Sequence, residues 1–468
     1  MMYFLTKIRT HMVKLKASSK HKFNPKVLGA LALRTSKIPM VKFMFTVGVL
    51  TLLAKVFGFY KEMVIASEIG LSELLDTYYI ALLIPGFLQT VFIGSLNNLF
   101  IPNYITELST SNKKGEFQTV SFIMITILVA ILTLLCLVFS AYFLEMVFPG
   151  HPLAYYELIR SQLYIILPSL LFWGYSGMFG GLLEINNKFF FSSLSPILIS
   201  ITFLVCLFAF RAELGNMVLA VGTLAGAIVT FLFQLFFVVR KKILEFAKPV
   251  INPNIRLMMG QLPPKISSGL LTGLNSFVDQ FFAAQLVVGS IAAINYGTKI
   301  PAFVVGIIIM VIGAVLLPHF SRMVNTDLQK AYKQLFRILK IVFFGALIAT
   351  LFAYLFSNQI IELLFERKEF KAEDTLVVAR IQQIAILYVP FYLCTLVCVR
   401  FLTAINKNKF MAWTSFWNLG LNLVLNIILM QYYGVYGLVA STTVVYIIAS
   451  FVYVGFTYKQ FKALKAAK

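Results

Sequence analysis

The chain has 468 residues, of which 60% are hydrophobic and only 12% are charged, and its mean hydropathy is +0.87. This composition excludes an ordinary soluble fold, which needs a larger polar surface, and predicts an integral membrane protein. The net charge of +22 does not indicate nucleic acid, because the basic residues lie in short segments between apolar spans, as positive-inside topology requires. The four cysteines have neither zinc spacing nor a redox CxxC and are interpreted as small core residues.

The first 42 residues contain ten Lys or Arg and no acidic residue. Their one apolar patch, VLGALAL, is too short to cross a bilayer. No small-residue cleavage site follows it before the first span, so we do not expect a signal peptide. Two interpretations remain open: a basic cytoplasmic tail that contacts anionic lipid, or an upstream start codon assigned in error near Met40.

Twelve apolar segments follow, each near or above the roughly 20 residues that a transmembrane helix needs. Their approximate limits are 43–67, 77–102, 118–148, 155–183, 189–210, 216–239, 264–287, 290–318, 336–364, 375–403, 410–430 and 434–458. We then assign the loops alternately to the two sides of the membrane. Of the lysines and arginines outside the spans, only Arg211, Arg367, Lys368 and Lys371 fall on the side away from the N-terminus. Both termini are therefore predicted to be cytoplasmic.

The chain also repeats itself weakly. Pro85 and Pro102 bracket the second span, and Pro301 and Pro318 bracket the eighth with the same spacing. Later, LPSLLFWGYSGMFGGLLEINNKF resembles VPFYLCTLVCVRFLTAINKNKF. The copies are offset by 216 to 222 residues and separated by six helices, so the two halves should share one orientation in the membrane.

The predicted fold is therefore an all-α integral membrane protein, with about twelve transmembrane helices in two pseudo-symmetric six-helix lobes around a central cavity. The predicted parts are a basic N-terminal tail (1–42), a first lobe (43–240), a cytoplasmic linker (241–263), a second lobe (264–458) and a basic C-terminal tail (459–468).

Charged residues inside the spans are the main functional signal. The first span carries Lys55, Lys61 and Glu62, and Lys299 lies well inside the eighth. At about 1.5 Å of rise per residue, Lys55 lies near the membrane midplane. A charge facing lipid at this depth costs several kcal/mol, so we expect the three lysines to line a cavity. Structural ion pairs are the alternative.

A lysine-lined cavity with few acids favours an anionic passenger, since lysine binds phosphate as a point charge. The second lobe supplies candidate ion ligands in Asp279, Asn422, Asn426 and Thr442. Their oxygens could hold Na⁺, or Asp279 could carry a proton, and hydrogen bonding between helices is the alternative. The sequence has no P-loop and no catalytic arrangement of histidines or acids, so we expect neither another cofactor nor an enzyme.

Two blocks of sequence resemble a known family. The first is AKVFGFYKEMVIA, followed by LDTYYIALLIPGFLQTVF and FIPNYITE, and the second is LNSFVDQFFAAQLVVGSIAAINYGTKIPAFVVGIIIMVIGAVLLPHFSR. They are similar to the lipid II flippase family (MurJ/MviN) of the multidrug/oligosaccharidyl-lipid/polysaccharide (MOP) exporter superfamily, over residues 43–460. The resemblance implies two six-helix lobes and a cationic cavity that takes the diphosphate of a polyprenyl-linked saccharide.

The resemblance also implies roles for particular residues. Lys55 and Lys61 stand where the family places functional arginines, and Glu62 stands at their acidic partner. Lys299 stands where a cavity arginine is expected, and Asp76 matches the acid of a TDAFF-like segment. The predicted substrate-binding residues are therefore Lys55, Lys61, Glu62, Asp76 and Lys299. The positions that form a sodium site in some members are here Asp279, Asn422, Asn426 and Thr442.

Gln89 and Thr90 depart from the family pattern, in which many members have a basic pair, and lysine replaces arginine at three positions. These differences leave a surface-polysaccharide repeat unit open as cargo beside lipid II. We expect an alternating-access flippase of the bacterial cytoplasmic (inner) membrane that moves an undecaprenyl-diphosphate-linked saccharide. Its expected partners are that lipid-linked glycan and the bilayer, not nucleic acid, with cell-envelope assembly proteins as further candidates. Alternatives are a cation-coupled drug exporter of the same superfamily and a non-transporting cell-wall scaffold.

Overall fold

The computed structural model describes residues 39–466, apart from the side chains of 39–45, 271, 272, 275, 276, 310, 311, 313 and 314. The chain divides into two compact units, residues 1–51 and 52–468. In the first unit residues 39–51 are helical, and the Thr51 hydroxyl donates a hydrogen bond to Val47 O at 2.8 Å. The predicted basic tail lies almost wholly outside the described residues. All of the sites discussed below lie in the second unit.

Within residues 39–466 the chain is helical throughout, apart from short turns, the extended linker and one isolated bridge between Arg367 and Phe370. The α-helices are α1 (Pro39–Ile69), α2 (Glu73–Leu88), α3 (Gly94–Thr110), α4 (Lys114–Val147), α5 (Leu153–Ile166), α6 (Ser169–Ile185), α7 (Phe189–Leu214), α8 (Val218–Arg240), α9 (Pro253–Ala283), α10 (Ser290–Thr326), α11 (Leu328–Leu355), α12 (Ser357–Phe365), α13 (Ala372–Ile386), α14 (Val389–Ala404) and α15 (Asn408–Ala466). A π-helical turn, Gln89–Ile93, joins α2 to α3, and a 3₁₀ turn, Gly215–Met217, joins α7 to α8.

The predicted all-α membrane fold is confirmed. In the described part of the chain, eight continuous helical stretches are long and apolar enough to cross a membrane. Two of them, Phe189–Arg240 and Asn408–Ala466, have 52 and 59 residues, and each covers two of the predicted spans. Gly434 at φ 53° interrupts α15 at the predicted boundary between its spans. The helices α1 and α9 are not among the eight, and both carry charged residues within the predicted span.

The helix breaks follow the predicted repeat. Pro168 lies at the break between α5 and α6, and Pro390 lies in the corresponding place, just after the break between α13 and α14. In both halves, therefore, one predicted span consists of two helices joined at a proline. The halves differ elsewhere, because Pro85 and Pro102 flank a π-helical turn, whereas the matching prolines of the second half lie within the single helix α10.

The predicted linker between the halves, 241–263, includes the first residues of helix α9. It is extended up to Asn252, whose side-chain oxygen accepts a hydrogen bond from Ile255 N at 2.9 Å and so caps α9. Gln118 of α4 holds the extended part by donating to Ile243 O at 3.2 Å and accepting from Glu245 N at 2.9 Å. The cap explains why helix α9 begins at Pro253, well before the predicted span.

Successive spans alternate in direction, so the loops at 70–72, 148–152, 215–217, 284–289 and 366–371 belong to the same end of the bundle. We call this end the latch end. Helix α1 approaches it, α2 leaves it, α9 approaches it and α10 leaves it. Helices α1 and α2 of the first half therefore correspond in direction to α9 and α10 of the second half.

Helices α10 and α13 pack closely because Gly297 has no side chain. A β-carbon at position 297 would stand 2.4 Å from Ile381 Cγ2 and 3.1 Å from Val378 O. The second of these atoms belongs to the backbone and cannot rotate away. The position of α10, which carries Lys299, therefore depends on this contact.

We predict that Gly297→Ala lowers the stability of the protein, because overpacking at a close helix contact costs about 1–3 kcal/mol. The thermal unfolding midpoint of the purified protein in detergent measures the effect. Gly345→Ala is the matched control, since no atom lies within 4 Å of a β-carbon there. Equal midpoints for the two variants would contradict the packing argument.

Candidate functional site

A cluster of charged side chains joins the two halves inside the bundle. Glu62 Oε1 lies 3.2 Å from Lys61 Nζ, and Glu62 Oε2 lies 3.1 Å from Lys299 Nζ. The Tyr79 hydroxyl donates to Glu62 Oε2 at 3.2 Å. The Glu62 side chain is only 14% exposed, so this carboxylate is compensated by two ammonium groups and a hydroxyl. We call these four residues the ionic cluster.

The ionic cluster borders a cavity of about 520 Å³. The cavity is formed by residues from helices of both halves: Glu62 from α1, Tyr79, Leu82, Leu83, Gly86 and Phe87 from α2, Thr90 from the π-helical turn, Gly273, Phe277 and Gln280 from α9, and Asn295 and Lys299 from α10. Two of the predicted substrate residues, Glu62 and Lys299, thus line one cavity. The cavity combines one charged region with apolar and amide-bearing walls, as ligand sites commonly do.

The other two predicted lysines do not line this cavity. Lys61 is joined to it through Glu62, and its Nζ lies 4.7 Å from the centre of the Phe203 ring in a cation–π contact. Lys55 Nζ lies against α10, where a β-carbon at Gly306 would stand 2.9 Å away. The structure therefore places Lys55 at the contact between α1 and α10, within reach of neither Glu62 nor another acid among the described residues.

Asp76, the remaining predicted substrate residue, is not among the residues that line this cavity. Its carboxylate accepts hydrogen bonds from Gly289 N at 2.6 Å and from Ala292 N at 2.9 Å, and only 2% of the residue is exposed. It thereby caps the N-terminus of α10, where a negative charge also compensates the helix dipole. Asp76 belongs to the first half, so the cap fixes the helix of the second half that carries Lys299.

Further contacts close the latch end. Glu68 bonds Arg211 Nη1 at 2.6 Å within the first half and Lys368 of the second half. Beside them, Glu369 N donates to Ser67 O at 3.1 Å. Glu68 therefore pairs with one cation from each half. Its side chain is largely buried, whereas the side chains of both cations are partly exposed.

The predicted ion ligands converge in the second half. The Asn426 amide donates to Asp279 Oδ1 at 2.9 Å and to Asn422 Oδ1 at 3.0 Å. The Thr442 hydroxyl donates to Asp279 Oδ2 at 3.2 Å. All four residues predicted from the sequence therefore lie in one polar cluster, which joins α9 to both segments of α15. Hydrogen bonding between helices accounts for these contacts as they stand.

The donor set also fits a small monovalent cation. Asn426 Oδ1 is buried and has no partner among the described residues, while its nitrogen bridges two oxygens as a cation would. Turning that amide over would direct Oδ1 at the same two oxygens, an arrangement that a cation between them or a proton on Asp279 would stabilise. Oxygen ligands with a single carboxylate suit Na⁺, and Asp279 alone can carry a proton.

Sequence reasoning missed the neutral wall of the cavity. Phe87, Thr90, Phe277, Gln280 and Asn295 line it. Their signal was weak, because these residues are ordinary components of apolar spans, and only their helical spacings, such as 273, 277 and 280 on α9, place them on one face. The π-helical turn that contains Thr90 has no sequence signal that we recognise, although such turns are frequent at functional sites.

An all-helical membrane bundle with an ionic cavity between two related halves has the architecture of a membrane transporter. The lipid II flippase MurJ family matches residues 65–468. The chain belongs to this family.

Individual relatives agree with the assignment. A probable lipid II flippase MurJ of Synechocystis sp. is 28% identical over 420 residues, which cover 85% of this chain and 77% of the relative. A protein of the same description from Rickettsia prowazekii is 26% identical and covers 84% of this chain and 79% of its own length.

Solved structures share the fold. A lipid II flippase MurJ in an inward closed conformation matches with a TM-score of 0.75 and 22% identity, over 88% of this chain and 87% of that one. An inward-facing multidrug resistance MATE family transporter of the MOP superfamily matches with a TM-score of 0.72 and 15% identity, over 90% of this chain and 99% of that one.

We predict that Asp76→Ala destabilises the protein by about 1–3 kcal/mol, because it leaves buried N–H groups of α10 without an acceptor. Thermal unfolding in detergent measures this loss. Glu73→Ala is the control, since Glu73 lies with Asp76 on the first turn of α2 but is exposed. Similar unfolding midpoints for the two variants would show that the cap contributes nothing.

We predict that sodium raises the unfolding midpoint relative to potassium at equal ionic strength, because a ligand that binds only the folded state stabilises it. Asp279→Asn should abolish this difference, whereas Glu157→Gln, which changes an exposed acid, should preserve it. If the difference between salts is absent and the midpoint responds to pH through Asp279, the site carries a proton instead. An unfolding midpoint that changes neither with the choice of salt nor with pH would contradict an ion site.

Proposed function

We propose that the protein is a flippase that moves a polyprenyl-diphosphate-linked saccharide across the bacterial cytoplasmic membrane by alternating access. The observation that carries the proposal is the ionic cluster on the wall of a cavity between the two halves. Two ammonium groups and one carboxylate give the ionic cluster a net positive charge inside the helix bundle. A diphosphate is the ligand that this charge suits best.

Binding proceeds by exchange of partners at Lys299. In the free protein its ammonium group is held by Glu62 at 3.1 Å. A diphosphate offers more acceptor oxygens and more negative charge than one carboxylate, so it competes for the lysine. Glu62 retains the hydroxyl of Tyr79 and the ammonium group of Lys61 while Lys299 engages the ligand. The cluster thus admits an anion without leaving a buried carboxylate unpaired.

The polyprenyl tail stays in the bilayer throughout. Its transfer into a polar cavity would cost the hydrophobic free energy of every methylene group, whereas leaving it in hydrocarbon costs nothing. Only the diphosphate and the saccharide therefore need the cavity. For these groups the protein replaces a passage through hydrocarbon, which is prohibitive for charge, with a passage through a compensated site.

The contacts of the latch end must break for the cavity to open there. They are the Asp76 cap of α10, the Lys368–Glu68 ion pair and the hydrogen bond from Glu369 N to Ser67 O. All three join the first half to the second, so rocking the halves apart breaks them together. A cation at Asp279, or the membrane potential at about 2.3 kcal/mol per charge and 100 mV, supplies the energy for the reset.

We infer that the latch end faces the outside of the cell and that both termini are cytoplasmic. Few basic residues lie at the latch end, namely Arg211 in the last turn of α7 and Arg367, Lys368 and Lys371 in the loop at 366–371. Positive-inside topology supports this orientation. The cargo then enters from the cytoplasmic leaflet and leaves at the latch end.

Lipid II is the cargo that we infer, since the curated relatives bear the name of probable lipid II flippases. The transport step requires no covalent chemistry. Proteins of cell-envelope assembly are candidate partners, because they make or consume such a lipid-linked saccharide at the two membrane faces.

We predict that Lys299→Gln lowers the flux of labelled lipid-linked glycan about tenfold or more in proteoliposomes, because a charge-assisted contact contributes about 1.5–3 kcal/mol. Lys299→Arg should retain more flux, since it keeps the charge. Lys407→Gln, an exposed lysine in the α14–α15 turn, is the control. Unchanged flux in Lys299→Gln at normal protein levels would remove the cluster from the mechanism.

A further inference from the structure

The cavity has an uncharged region beyond the ionic cluster, on the side of the latch end. Helix α10 starts at the latch end, so Asn295 lies about one turn, roughly 6 Å, nearer to it than Lys299 does. Helix α9 finishes at the latch end with Ala283, so Gln280 lies within its last turn. Two amide side chains from neighbouring helices thus stand in the wall of the closed end.

Both amides have hydrogen-bonding groups to spare. Asn295 donates one hydrogen bond to Ile291 O at 2.9 Å, which fixes its orientation. Its side-chain carbonyl and the Gln280 amide have no protein partner among the described residues. Amides donate and accept at once, so together they can bind hydroxyl and acetamido groups.

An aromatic surface adjoins the amides. Phe277 lies one turn before Gln280 on α9, and its ring centre is 5.4 Å from that of Phe87 on α2. The rings give the cavity an apolar surface. A few fixed polar groups beside apolar surface are the usual means by which a pocket orients a neutral ligand.

We propose that Gln280 and Asn295 form a specificity subsite for the first sugar of the cargo, a pyranose with hydroxyl or acetamido substituents. The inference rests on the proposed function, because the tail, the diphosphate and the sugar are joined in that order. With the tail in the bilayer and the diphosphate at Lys299, the first sugar lies beyond the phosphates. One helical turn separates Lys299 from Asn295, which is the scale of a single sugar ring.

The subsite selects by leaving its own groups unpaired when the sugar is wrong or missing. A polar site that closes around a ligand without the matching groups forfeits its hydrogen bonds to water and gains none. Lys299, by contrast, binds any diphosphate and cannot distinguish cargoes. Charge therefore provides affinity in this cavity and the amides provide selectivity.

The test measures binding of two probes to the purified full-length protein in nanodiscs. One probe is undecaprenyl diphosphate without sugar, and the other carries a single N-acetylhexosamine. Wild-type protein should bind the sugar-bearing probe more tightly. Gln280→Met and Asn295→Leu, which keep the side-chain size, should each weaken that probe about fivefold and leave the sugar-free probe unchanged. Asn325→Leu, at an exposed position on α10, should change neither.

Lys299→Gln separates this inference from the proposed function. It should weaken both probes alike, and if it changes neither, the proposed diphosphate site is wrong. If it weakens both while Gln280→Met and Asn295→Leu change neither probe, or both equally, the diphosphate site stands and the sugar subsite is overturned. Unfolding midpoints near that of the wild type exclude misfolding as the cause of lost binding.

Discussion

The structure depends on the compensation of charge in a place where water is scarce. Glu62 holds Lys61 from its own helix and Lys299 from the other half, at 3.2 and 3.1 Å. Removing Glu62 would leave two ammonium groups among apolar helices without a counter-charge, which is far more costly than breaking a pair at the surface. The ionic cluster therefore joins the halves and, at the same time, keeps ammonium groups available to an anion that enters between them.

Asp76 fixes the position of Lys299, the partner of Glu62 in the second half. Asp76 caps α10 through Gly289 N and Ala292 N, and this helix carries Lys299 two turns farther on. Close packing at Gly297 fixes the same segment against α13. Opening the latch end removes the cap, so any movement of α10 also moves Lys299 relative to Glu62. Helix α10 thus links the contacts of the latch end to the ionic cluster.

Hydropathy and prolines made most of the fold predictable, because the bilayer forces each span into a helix and a proline breaks it at a defined place. The convergence of Asp279, Asn422, Asn426 and Thr442 was also predictable, first from residue type in the spans of the second lobe and then from the family resemblance. The cap by Asp76 was not, since its partner lies 213 residues away and nothing local distinguishes it from a cavity acid. The neutral wall with Gln280 and Asn295 could not be predicted either, because a cavity is defined by packing between helices rather than by residue type.

The two halves carry acids at matching positions but treat them in opposite ways. Glu62 and Asp279 are separated by an offset within the range of the repeat, as are Thr223 and Thr442. Cations compensate Glu62, whereas neutral donors surround Asp279, which is therefore the acid with charge to spare for an ion. In the proposed mechanism an anionic cargo would compete at the first acid and a cation would bind at the second, so neither ligand would displace the other directly. Coupling between them must pass through the relative position of the halves, and it must then be reciprocal, each ligand changing the affinity for the other by the same factor.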